Sequence, residues 1–171
     1  VEGKKIRSIF SGDTIIDFGY RGQASSAIEF FKNIITHKLK SPFTPHYWFL
    51  ISKGYKTYLI LTKNYCHYYP RHDQEIPLNE EKVLDALGKR FFGNDYNKET
   101  KILKHTGKTD SLRADVAPID ERSLQNPNIH FFANRNPGWA SGGDFCCIGK
   151  RDFSLVTTFI SRTTRKLLKI R

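Results

Sequence analysis

His46-Tyr47-Trp48-Phe49-Leu50-Ile51-Ser52 is a short apolar run bounded by Pro45 and by Lys53-Gly54. It is too brief for a helix and reads as a strand buried inside a sheet. The neighbouring segments are placed outward from it. Downstream, Tyr58-Leu59-Ile60-Leu61 sits in the stretch from Thr57 to Tyr65. That stretch reads either as a second strand returning across a turn at Lys53-Gly54 or as a helix starting after Gly54. Its Tyr, Ile and Thr content favours the strand. Upstream, Ser26 and Glu29 have capping-box spacing, and Ile28, Phe31, Ile35 and Leu39 follow at helical intervals until Pro42 and Pro45. Before that helix, Ile6, Ile9 and Phe10 lead into Ser11-Gly12-Asp13, and Thr14 to Phe18 returns, which predicts a small hairpin.

Beyond the central run, a helix is predicted from about Asn79. Glu80 and Glu81 lie in its first turn, Val83, Leu84, Leu87 and Phe91 form its apolar stripe, Lys89 and Arg90 lie in its last turn, and Gly93 stops it. A strand is expected over Lys101 to His105 and a short helix over Asp120 to Asn126. Two more strands are expected at Ile129 to Phe132 and Phe145 to Ile148, and a last helix over Ser154 to Lys169. The expected fold is therefore α/β or α+β, with one mixed sheet of about six strands and about four helices packed on it. Residues 1–171 are expected to form one domain, since no linker or repeat divides them.

The bulk properties fit this plan. The chain has 171 residues, a net charge of +11, 39% hydrophobic residues and 13% aromatics, which excludes a wholly disordered chain. No apolar run approaches the roughly 20 residues of a membrane-spanning helix. The chain opens at Val1, contains no Met, and shows no signal-peptide pattern, so it reads as a processed or trimmed chain. Its three cysteines are Cys66 and the adjacent Cys146-Cys147, an arrangement that argues against a disulfide scaffold. A reducing cytoplasm is the expected location. Cys146 and Cys147 read as small core residues.

Three stretches carry candidate chemistry. In Ser52-Lys53-Gly54-Tyr55-Lys56-Thr57, a helix beginning at Thr57 would bring backbone N–H groups and two lysines together after a buried strand, which suits a phosphate. The glycine spacing of a Walker loop is missing, and the competing reading is a two-residue hairpin turn with solvated lysines. In Tyr65-Cys66-His67-Tyr68-Tyr69-Pro70-Arg71-His72, aromatics among cations suit a stacked or acidic ligand, with Tyr69 and Arg71 as candidate contacts. The alternative is that the tyrosines edge the core. The loop from Asn134 to Asp144 contains three glycines, Pro137 and Trp139. Here Asn134 and Arg135 are candidate binding residues and Asp144 a candidate proton-handling group, with His46 as the other. An ordinary loop plugged into the core by Trp139 is the competing account.

No metal is expected, because the histidines at 37, 46, 67, 72, 105 and 130 include no i,i+4 pair and the cysteines are far apart. No cofactor fingerprint is legible. After Asp152 no acid remains, and Arg162, Arg165, Lys166, Lys169 and Arg171 make the C-terminal segment basic, as a docked amphipathic helix or a polyanion-binding one. A helix after the first hairpin, a strand followed by a glycine turn and a closing strand–loop–strand give an order of elements that resembles GNAT-type acyltransferases. Their pyrophosphate loop, Arg/Gln-x-x-Gly-x-Gly/Ala, does not occur at Lys53 to Tyr58, so no family residue is carried over.

The leading functional expectation is a group-transfer enzyme acting on an anionic, phosphate-bearing substrate or donor. Lys53, Gly54, Lys56, Thr57, Tyr69, Arg71, Asn134 and Arg135 would bind the anion, with Asp144 or His46 handling a proton. The alternatives are a non-catalytic binder of nucleic acid or an anionic surface, and a structural or partner-binding subunit.

Overall fold

A computed structural model describes residues 1–12, 32, 35–104, 117–152 and 154. Its frame is a mixed sheet of six strands. The strands are β1 (Arg7–Ser11), β2 (His46–Ser52), β3 (Tyr68–Tyr69), β4 (Tyr96–Asn97), β5 (Ile102–Leu103) and β6 (Asp144–Lys150). The order runs β1-β2-β6-β5-β4, with β3 also pairing β6. One edge of β6 is taken by β2, with Ser52 opposite Phe145 and Tyr47 opposite Lys150. Its other edge is shared between β5, at Asp144 and Phe145, and β3, at Ile148 and Gly149.

The helices are α1 (described over 35–40), α2 (Tyr55–Asn64), α3 (Leu78–Phe92), α4 (Glu121–Leu124) and α5 (Pro127–Arg135). The fold class is α+β, as expected. β2 is buried on both faces, which is why its sequence does not alternate. Trp48 and Leu50 join Tyr58, Leu61, Tyr65, Phe132, Phe145 and Cys147 in the layer under α2 and α5. Tyr47 and Phe49 join Val83, Leu84, Leu87, Cys146 and Ile148 in the layer under α3. Cys146 and Cys147 therefore occupy opposite faces of β6, buried and unbridged, and burial pushes both thiols well above the usual range.

Two expectations of strand are corrected. Tyr55–Asn64 is helical because both edges of β2 are already occupied, by β1 and β6, and a strand returning after Gly54 has no partner. As a helix, the segment buries Tyr58 and Leu61 on one side and leaves Ile60 53% exposed. Ile129 to Phe132 lies inside α5, where Asn126 caps the N-terminus by accepting from the Asn128 N–H at 2.9 Å and Pro127 takes the first position. Ile129 and Phe132, three apart, then face the core. The closing strand–loop–strand of the acyltransferase-like order is consequently a helix, a loop and a strand.

β1 runs parallel to β2, with Arg7 opposite His46. The expected return strand over Thr14 to Phe18 lies outside the described residues, as do most of the first helix and the C-terminal basic segment. Helix α3 matches its sequence signals closely, ending at Gly93 with φ 55°. Asp120 caps α4 through a reciprocal pair of hydrogen bonds with Ser123.

Candidate functional site

A cleft of about 750 Å³ opens between two walls. One wall is the stretch Glu99, Thr100, Ile102, Leu103 and Lys104, formed by β5 and the turn before it. The Asn97 side chain shapes that turn by accepting from the Glu99 and Thr100 N–H groups, each at 2.9 Å. The other wall is the end of α5 and the loop before β6, from Asn134 to Gly138 and from Ser141 to Gly143.

The loop is built around Asn136, which is fully buried and donates from Nδ2 to the Gly143 carbonyl at 2.7 Å. The Gly143 N–H returns to the Gly138 carbonyl at 2.9 Å, and Gly142 sits at φ 93°, a left-handed position that suits glycine. A Cβ on Gly143 would lie 2.7 Å from Asn136 Oδ1, so the close turn requires glycine there. Arg135 and Asn134, exposed at the end of α5, line the cleft. Asn134 is in hydrogen-bond contact with His130 Nδ1 at 3.2 Å, one turn back along α5. Arg135 and Lys104 are the cations of the described lining, and Glu99 is its carboxylate.

The remaining sequence candidates are dispersed. Lys53 and Gly54 follow β2 at the end of the sheet where β6 begins, because Ser52 pairs with Phe145. Lys56 and Thr57 occupy the first turn of α2, so the hairpin-turn reading is replaced by a strand-to-helix turn. None of these four is in the described lining of the cleft. Asp144 stands at the start of β6 opposite Leu103, only 1% exposed and outside that lining. His46 begins β2, the length of the strand away at about 3.3 Å per residue, or roughly 20 Å. Asp144 and His46 therefore cannot serve one reaction centre.

The aromatic–basic cluster is also reassigned. Tyr65, Tyr68 and Tyr69 are at most 6% exposed, and burial raises the pKa of each hydroxyl. Their rings belong to the core and offer no stacking platform. Arg71 forms two hydrogen bonds with Asp73, lies 4.8 Å above the Tyr68 ring, and donates to the Cys66 carbonyl at 3.1 Å. The Asp73 carboxylate is held below its usual range by that contact.

His46 instead belongs to a second, smaller pocket of about 290 Å³, lined by Lys5, Arg7, Ser8, Ile9, His37, His46 and Arg151. Arg151 carries no motif and was not a sequence candidate. Its signal is indirect, the second of two cations, Lys150-Arg151, at the end of β6. Among the described residues, no group of three or more His, Cys, Asp or Glu is placed to hold a metal ion, and no helix is long and apolar enough to cross a membrane. Comparison with protein-family models, curated proteins and solved structures finds no significant match to this chain.

Proposed function

We propose that the protein binds an anionic, phosphate-bearing small molecule in the cleft between β5 and the α5–β6 loop, as the substrate or donor of a group transfer. The observation that carries this reading is the cleft itself, about 750 Å³ with Arg135 and Lys104 in its lining. That volume lies within the ~300–1,000 Å³ typical of small-ligand sites. Arg135 supplies a planar fork for bidentate contact with an oxyanion, and Lys104 a second, point-like charge. Gly138, whose missing side chain faces open space, lets a ligand approach the backbone closely. Glu99, rather than Asp144 or His46, is the group positioned to exchange a proton with whatever the cleft holds.

A calorimetric titration with adenosine 5′-diphosphate tests the reading. Arg135→Gln should weaken binding about tenfold or more, the loss expected for one charge-assisted bidentate contact. Equal affinity in the two proteins would remove the cleft as the site. The net charge of +11 favours a second reading, non-catalytic attachment to nucleic acid. Under that reading, oligonucleotide affinity falls steeply and linearly in log salt, and Arg135→Gln shifts it only slightly.

A further inference from the structure

Arg7, His46 and Arg151 form a row across three adjacent strands. Arg7 is the register partner of His46. Arg151 follows Lys150, the partner of Tyr47, and its N–H donates to the His46 carbonyl at 2.7 Å. Residues in register share one face of a sheet, so this pairing puts two guanidinium groups and an imidazole side by side. Like charges in such a row repel, and burial increases the repulsion.

Two members of the row are buried, His46 at 2% and Arg151 at 3% exposure. Among the described residues, Arg151 Nε and Nη2 have no hydrogen-bond partner, nor has His46 Nε2. Among the described residues the pocket beside them is lined by no carboxylate, and it adds the Lys5 ammonium and the His37 imidazole to the lining. Asp152, the next residue after Arg151, is turned to His67 and Ser154, at 3.0 Å from each. An arginine stays protonated in proteins, so its buried N–H donors must be met by an acceptor. Tyr65 OH, also buried without a partner among the described residues, adds a further polar group in the electrostatic range of Arg151.

We propose that this pocket, closed by β1, β2 and the end of β6, is a binding site for a small oxyanion of the phosphate class. It is independent of the cleft described above. At ~30 Å³ per water molecule, its volume corresponds to roughly ten waters, enough for one phosphoryl group and part of its hydration. Donors converge from three strands, which suits a tetrahedral anion better than a planar carboxylate. Arg7 and Lys5, on the exposed side, provide the entrance and the first electrostatic attraction. The same chemistry is offered by free phosphate and by the terminal phosphate of a small monoester.

The experiment titrates inorganic phosphate into the full chain at constant ionic strength held with chloride, following thermal stability and the His46 imidazole resonances. Stability should rise with the phosphate concentration c as RT ln(1 + c/Kd), and the His46 resonances should move with a midpoint at that same Kd. Arg7→Gln, on the exposed side, should raise that midpoint about tenfold. Arg151→Met should abolish the response. If Arg151→Met does not fold, Arg7→Gln and the His46 resonances decide. Chloride matching the effect of phosphate overturns the site. So does a phosphate response that survives Arg7→Gln unchanged but vanishes in Arg135→Gln, which would place the anion in the cleft. Glycerol 3-phosphate run in parallel identifies the source, since tighter binding than inorganic phosphate marks a monoester and weaker binding marks the free anion.

Discussion

Lys101 and Arg151 are buried to nearly the same degree in this sheet, at 2% and 3% exposure, and their surroundings are opposite. Lys101 Nζ donates to Asp85 at 2.7 Å and to Glu81 at 2.9 Å, both on α3. Tyr96 OH completes the cluster by donating to the same Asp85 oxygen at 2.7 Å, and burial with that contact drives its pKa far up. The arrangement is worth a strained backbone, since Lys101 adopts φ 61° in a turn where glycine is normally preferred. Arg151 has no such neutralisation among the described residues. A buried cation held between two carboxylates is a structural link between helix and sheet, whereas one with no carboxylate partner among the described residues marks a place for a ligand.

The largest expected effect tests the structural half of the comparison. Lys101→Met leaves Asp85 and Glu81 facing an apolar side chain. It should destabilise the fold by about 2–3 kcal/mol, below the usual loss for a buried pair because Glu81 is half-exposed and Asp85 keeps Tyr96. Urea denaturation measures this, and a loss under about 0.5 kcal/mol would make the Lys101 cluster no different from a surface pair.

The matching change at Arg151 should go the other way. In phosphate-free buffer, Arg151→Met removes a buried charge with unmet donors and should leave stability unchanged or raise it by about 1 kcal/mol. A loss comparable to that of Lys101→Met would show that Arg151 is neutralised within the fold, and the contrast between the two sites would collapse.

The smallest effect is a pH dependence. Burial first, then the charges of Lys38, Arg151 and Arg7, hold the His46 imidazole below its ordinary value of 6.5. The unfolded chain therefore binds more protons than the native one in this range, and stability rises with pH. His46's share is intact above pH 6.5 and declines as pH falls toward the lowered native value, by no more than about 1 kcal/mol over the first unit. Unfolding free energies at pH 7.5, 6.5 and 5.5 measure this. His46→Gln should flatten the slope, and an unchanged slope in that variant would assign the dependence elsewhere. Asp152, held below its usual 3.8, loses its contribution only at lower pH and does not confuse the reading.

Local signals were sufficient where a segment's own chemistry admits one conformation. β2 was legible from its unbroken apolar run, and α3 from its charges at both ends, its stripe and Gly93. α4 was legible near its Asp120 cap, and β6 from Phe145 to Ile148. The segments 57–65, open between strand and helix, and 129–132, expected as a strand, are short apolar runs whose composition suits either structure. Asn126-Pro127 was a usable helix start for the second. For the first, nothing local decided it, because the helix follows from β1 and β6 filling both edges of β2.

The sites divide along the same line. The sequence by itself determined that Asn134 and Arg135 border a glycine-rich loop, and that the chain carries a surplus of cations seeking anions. It also singled out His46, but with the wrong companions. Only the tertiary structure decided that Asp144 is buried outside the lining of the cleft, that Tyr69 is a core residue and Arg71 is held by Asp73, and that Arg7, His46 and Arg151 form one row. The physical reason is register. A parallel pairing of β1 with β2 and an antiparallel pairing of β2 with β6 align residues that no sequence spacing connects, and alignment sets which charges must share one buried volume.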